Sequence, residues 1–146
     1  MKTRLYLDNC SFNRPYDDLT LFKNYLEAEA KMFIQREIQL GIFELAWSFI
    51  MDYEVSRNPF SDRKKQISKW KDFAVVHVVK SENVMAMADS FMRQGIKSHD
   101  ALHLACATKA GCACFITTDG KILKTPIESI RVTNPIDFIR NMEAWQ

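Results

Sequence analysis

At 146 residues, 47% of them hydrophobic and only four of them glycine, the chain is long and apolar enough for one domain with a real core, which excludes disorder. A net charge of +2, from 20 basic and 18 acidic residues, permits a nucleic-acid partner but lacks the excess of a dedicated electrostatic binder. No apolar run nears the roughly 20 residues that span a bilayer, and no apolar stretch follows the basic start, so a cytoplasmic protein without a membrane partner is expected.

In that compartment Cys10, Cys106, Cys112 and Cys114 read as reduced thiols, and with His103 they lack any standard zinc spacing. No repeat or Pro/Gly-rich linker divides the sequence, so residues 1–146 read as a single domain. The first strand is residues 2–7, running towards an apolar finish and delivering Asp8 into a turn-rich stretch. It is expected at the centre of the sheet. Asp17 and Asp18 open a long helix whose inner stripe is predicted as Leu19, Phe22, Leu26, Ala30 and Phe33, with Gly41 as its stop.

Residues 42–47 read as a buried strand, and Ser48 as the cap of a helix carrying Ile50, Tyr53, Glu54 and Arg57. Ser61 or Asp62 then caps a basic helix to about Lys71, whose cations read as a solvated face. Residues 75–79 are β-branched enough for a strand. Ser81 caps a helix with an apolar stripe of Val84, Met85, Ala88, Phe91 and Met92, ended by Gly95. Ser98 starts a helix that is apolar nearly all round and closes at Gly111. Residues 113–118 form a strand that ends, like the first, in an acid, Asp119. A short strand over 130–133 leads to Asn134-Pro135 and a final helix with Ile136, Ile139 and Met142 inward. Alternating strands and helices predict an α/β fold: a central parallel sheet with helices on both faces, an α/β/α sandwich.

Four acids stand out. Asp8 and Asp119 follow apolar strands, and in a parallel sheet both emerge at the edge where open α/β folds keep their chemistry. Each alone is equally explained as a turn starter bonding its own backbone. Asp100 is the one acid of a nearly apolar helix, and it also suits that helix's first turn electrostatically. Glu54 has an ordinary reading as a partner for Arg57 one turn on. If all four meet, unit charges roughly 5 Å apart at an effective dielectric near 20 repel by about 3 kcal/mol per pair, and a cation resolves the conflict. Oxygen ligands favour Mg²⁺ or Mn²⁺, and such a centre in an open crevice points to phosphodiester or phosphoryl hydrolysis. His99 and His103 have the spacing of a zinc pair without its glutamate, so His103 reads as a hydrogen-bonded core histidine.

Asp8 after the first strand, Glu54, Asp100 within Ser98-His99-Asp100-Ala101-Leu102-His103-Leu104-Ala105, and Asp119 after Phe115-Ile116-Thr117-Thr118 resemble the PIN-domain nucleases. Order, spacing and length are similar to the VapC-like toxins of toxin–antitoxin pairs. The resemblance implies an α/β/α sandwich in which the four acids hold one or two Mg²⁺ or Mn²⁺ ions. It implies an endoribonuclease leaving 5′-phosphate and 3′-hydroxyl ends, a homodimer, and a small antitoxin that blocks the site. Thr117 matches a hydroxyl position that supports the acids. Asn9 stands where many members carry Thr or Ser, and could orient a ligand water; Gly120 stands where many carry a charged residue. Arg14 and Lys97 flank two of the acids and are candidates for meeting phosphates, though a solvated surface role is as good a reading. Two other readings follow from the same residues. One is a PIN fold that has lost turnover and serves as a scaffold, motivated by Asn9 and Gly120. The other is a phosphoacceptor receiver domain, which the lone Asp8 speaks against.

Overall fold

Leu5, Tyr6 and Leu7 are apolar on both alternating faces, and such a strand suits only a sheet covered on both sides. In the computed structural model, which describes residues 2–9 and 21–142, all three are buried. They belong to β1 (Arg4–Leu7), the middle strand of a sheet that also holds β2 (Glu44–Ser48), β3 (Ala74–Val78), β4 (Cys114–Ile116) and β5 (Arg131–Thr133). Among the described residues the order is β3-β2-β1-β4-β5, with every pair parallel. Leu7 pairs with Ile116, so β1 and β4 end side by side.

Among the described residues the helices are α1 (Phe22–Gln39), α2 (Phe49–Ser56), α3 (Ser61–Ser68), α4 (Glu82–Arg93), α5 (Ser98–Lys109), α6 (Gly120–Lys124) and α7 (Pro135–Arg140). Helices α4 and α5 pack together, as do α1 and α7, giving the expected three-layer α/β/α arrangement. The caps read from sequence hold at three places: Ser48, Ser81 and Asn134 accept from the backbone N–H of Met51, Val84 and Asp137. Gly41, Gly95 and Gly111 follow their helices at φ of 76°, 95° and 72°, a left-handed turn that a Cβ opposes. No helix among the described residues is long and apolar enough to cross a membrane.

Several expectations need correction. The predicted start of α1, with Asp17, Asp18 and Leu19, lies outside the described residues, as do Cys10 and Arg14. Within α1 the inner stripe is displaced: Phe22, Leu26 and Phe33 are exposed, while Glu27, Lys31, Ile34 and Ile38 are buried. Of the described members of the predicted set, Ala30 alone is buried. Ile42 is exposed and β2 begins two residues later. Neither Ser61 nor Asp62 caps α3, whose N-cap is Phe60, and a 3₁₀ turn (Lys69–Phe73) ends that basic stretch. In α4, Val84, Ala88 and Phe91 are buried but Met85 and Met92 are exposed. In α7 the buried residues are Pro135 and Phe138, with Ile139 and Met142 packed more loosely against the core.

Candidate active site

Residues two apart on a strand share a face. Tyr6 and Asp8 do so at the end of β1, and Asp8 is buried. Its backbone N–H donates to Ile116 O at 3.2 Å, continuing the ladder one residue past the strand. The Thr117 hydroxyl donates to Asp8 Oδ2 at 2.5 Å and accepts from the Asp119 backbone N–H at 3.0 Å. One hydroxyl thus ties the ends of two neighbouring strands. Asp119 in turn caps α6, its Oδ1 accepting from Lys121 N–H at 2.8 Å and Ile122 N–H at 3.4 Å. The turn-starting and acidic-site readings of Asp119 are therefore compatible, since a carboxylate has lone pairs to spare after a cap.

Asp100 sits half-buried in the first turn of α5. Burial raises its carboxyl above the ordinary range, and the charges of Asp119 and Glu54 push the same way, against His103 and Lys97. Asp100 thus feels the charges of two other acids.

Glu54 does not use Arg57 side chain to side chain. Arg57 lies over the Tyr53 ring, 5.6 Å from its centroid, and Glu54 turns to two histidines of α5. His103 Nε2 is 2.6 Å from Glu54 Oε1, and His99 Nδ1 is 3.2 Å from Oε2. Their i,i+4 spacing, which resembled a metal pair, instead brackets one carboxylate. Behind His103 the chain of contacts continues inward: Nδ1 lies 2.6 Å from Tyr6 Oη, which lies 2.6 Å from Ser48 Oγ. The Tyr6 ring stacks on Phe115 and meets His103 edge-on. Burial above all, then the nearby Cys106, pushes the Tyr6 phenol well above its usual range, so it stays protonated. The His103 reading holds, for it is buried and bonded on both ring nitrogens. In the sequence Tyr6 has no assigned role, although it stands two residues before Asp8, while Ser48 reads only as a helix cap and His99 only as half of a zinc-type spacing.

Asn9 follows Asp8, partly buried. Lys97, Lys121 and Asp100 line a cavity of about 140 Å³ together with Ile96 and Ile122. A larger hollow of about 510 Å³, lined by Phe91, Thr108 and Glu128 among others, contains none of the four acids. A Cβ at Gly120 would meet nothing within 4 Å, so lack of space does not explain the missing side chain. Burial pushes the thiols of Cys112 and Cys114 up to about 12 and that of Cys106 up to about 11, which makes them inert packing groups.

Chemically the donor set suits a hard divalent cation, being carboxylate oxygens with Asp100 under pressure from two like charges. Its arrangement is not closed. Among the described residues no three Asp, Glu, His or Cys side chains stand close enough to hold an ion, so coordination would require the carboxylates to draw together.

No protein-family model matches the chain, and no curated protein matches it. Among solved structures it is similar to a chain in the crystal structure of VapBC2 from Rickettsia felis bound to a DNA fragment from their promoter. The TM-score is 0.53 at 14% identity, covering 90% of this chain and 98% of the other. The fold is that of a VapC-like PIN domain. At this identity the fold is what the two share. The PIN fold sets β1 and β4 side by side at the middle of the sheet, and Asp8 and Asp119 follow from that pairing.

Proposed function

We propose that the chain is a Mg²⁺- or Mn²⁺-dependent endoribonuclease of PIN type and the toxin of a toxin–antitoxin pair. The observation that carries this reading is the carboxylate crowd around Asp100, which feels both Asp119 and Glu54 in a half-buried crevice. Like charges gathered there destabilise the fold unless a cation neutralises them. Asp8, Asp100 and Asp119 would be the principal ligands, with Glu54 completing the set. A bound ion would lower the pKa of a water and stabilise the charge that develops on a phosphodiester.

The chain's own residues supply the rest. Thr117 holds Asp8 by a hydrogen bond to one carboxylate oxygen. Glu54 shares in activating the attacking water. Asn9 orients a water beside Asp8, and Lys97 with Lys121 offers cations to the RNA phosphates at the cavity next to Asp100. The exposed Phe22, Leu26, Met32 and Phe33 on α1 support a protein partner, either a second copy in a homodimer or a small antitoxin. The cytoplasm, where RNA and a reducing milieu coincide, is the fitting compartment.

The test is cleavage of RNA by purified protein with Mn²⁺, its arrest by EDTA, and its loss in Asp100→Asn. Equal activity in that variant and the wild type overturns the reading. A second reading, a PIN-fold scaffold without turnover, is favoured by the open arrangement of the acids and by the two histidines on Glu54. A scaffold shows no Mn²⁺-dependent thermal shift.

A further inference from the structure

Charge is spread unevenly along the chain. Residues 57–71 hold six basic side chains and one acid, against 14 basic and 17 acidic residues in the rest. In the structure this stretch is the turn after α2, then α3 and the start of the 3₁₀ turn. Cations alone would make an ordinary solvated face. Here, however, exposed aromatic rings stand among them. Tyr53 and Phe60 are 47% and 56% exposed. The guanidinium of Arg57 lies over the Tyr53 ring, 5.6 Å from its centroid, and that of Arg63 over the Phe60 ring, at 4.3 Å. The two pairs are joined by a hollow of about 270 Å³ between α2 and α3, whose lining includes Ser56, next to Arg57, and Lys64, next to Arg63. Asp52 also lines it, but both its oxygens are engaged, one by the Trp47 indole N–H at 2.8 Å and the other by Lys71 Nζ at 3.1 Å. Arg57, Lys64, Lys65 and Lys69 have no acid within ion-pair distance among the described residues. At its other end the row reaches the acidic site. Tyr53 stands edge-on to His99, 5.9 Å between centroids, and His99 Nδ1 is 3.2 Å from Glu54.

We infer that this row, from His99 through Tyr53 and Arg57 to Lys64 and Phe60, is a track for an unpaired RNA strand. Rings alternating with cations match a strand whose bases are free to stack and whose phosphates recur between them. A duplex keeps its bases stacked on one another and would use the cations alone. An acidic protein surface would also match the cations, but it brings no row of planar bases to the rings. The choice of RNA over DNA rests on the nuclease reading above. The track itself does not, since it needs no ion.

The experiment is fluorescence anisotropy of a labelled oligouridylate about ten nucleotides long, within the usual span of single-strand sites, titrated with the full-length protein in EDTA so that no strand is cut. Duplex RNA of the same length, oligothymidylate and polyglutamate are the competing probes. Wild type should bind oligouridylate more tightly than any of them. Phe60→Leu and Tyr53→Leu keep apolar bulk without a ring, and each should weaken binding by roughly fivefold or more, the scale of one lost base stack. Phe60→Trp should keep wild-type affinity. Lys64→Gln should lower the logarithmic salt dependence by about 0.7, the share of one phosphate on a single strand, whereas Lys109→Gln, at the far end of α5, should leave it unchanged. Cooperative thermal melts check each fold, and the two ring positions stand in for one another should either variant fail. Wild-type affinity in the leucine variants, equal binding of the duplex, or tighter binding of polyglutamate overturns the track. Tighter binding of oligothymidylate overturns the assignment to RNA. Cleavage is scored separately with Mn²⁺. Strand binding without cleavage overturns the nuclease reading and leaves the track, while cleavage by a protein whose leucine variants bind like wild type does the reverse.

Discussion

The carboxyl end of the sheet and the helix α1 handle polarity in opposite ways. At the sheet end, Asp8, Thr117, Ser48 and His103 are buried, and each sits in a short, directed hydrogen bond. On α1 the aromatic residues face outward, Phe22 at 73% exposure, while Glu27 and Lys31 are buried at 2% each. Hydrophobicity therefore predicts burial poorly in both regions, for different reasons. Polar groups are buried at the sheet end because the strands deliver them to one another. On α1 several large apolar side chains, Phe22, Tyr25, Leu26, Met32 and Phe33, are left exposed.

Breaking the sheet end should have the largest effect. Asp100→Asn is expected to reduce Mn²⁺-dependent RNA cleavage to background while raising the melting temperature of the metal-free protein by a few degrees. Removing one charge relieves Asp119 and Glu54, and the carboxyl that burial had raised no longer needs to ionise. A melting temperature that falls instead would mean that Asp100 is a structural acid. Thr117→Val is next: it leaves the buried Asp8 without its hydroxyl donor and should cost about 1.5–3 kcal/mol, read from urea melts. A loss under about 0.5 kcal/mol would show that water replaces the hydroxyl and that the two strand ends are not tied through it.

On α1 the effects should be smaller and should differ in kind. Burial lowers the Lys31 amine from 10.5 to about 7, so in between the unfolded chain keeps a proton that the folded chain has released. Stability from this group therefore rises with pH across that window, and Lys31→Met should flatten the rise in melting temperature. A variant with the wild-type slope would remove Lys31 as its source. Phe22→Ser should change the stability of the isolated chain by no more than about 0.5 kcal/mol. If the homodimer forms through this face, the same substitution should lower the sedimentation coefficient at micromolar concentration. A variant that unfolds would show the outer face of α1 to be packed after all.

Strand ends and helix stops were legible because their signals are local. A β-branched or apolar run ending in Asp, a serine before a helix, or a glycine after one depends on a few neighbouring dihedrals. The α1 stripe was misread because Phe22, Leu26 and Phe33 have the right period, and period does not say which side the sheet lies on. The short helix α6 escaped because Asp119 reads as a strand end or a turn starter, and either fits the sequence without a helix, whereas the same side chain caps the next helix. The ordinary reading of Glu54, as a partner for Arg57, rests on helical spacing, yet its partners come from a helix some fifty residues later.

The sequence by itself determined the alternation of elements, the central position of the first strand, and the four acids as a candidate set. Those properties follow from backbone preferences and side-chain periodicity, which act over a few residues at a time. Tertiary structure alone decided that β4 lies beside β1, that one threonine hydroxyl joins Asp8 to Asp119, and that Glu54 belongs to His99 and His103. Such pairings are set by the packing of whole helices and strands against one another, and no spacing along the chain encodes them.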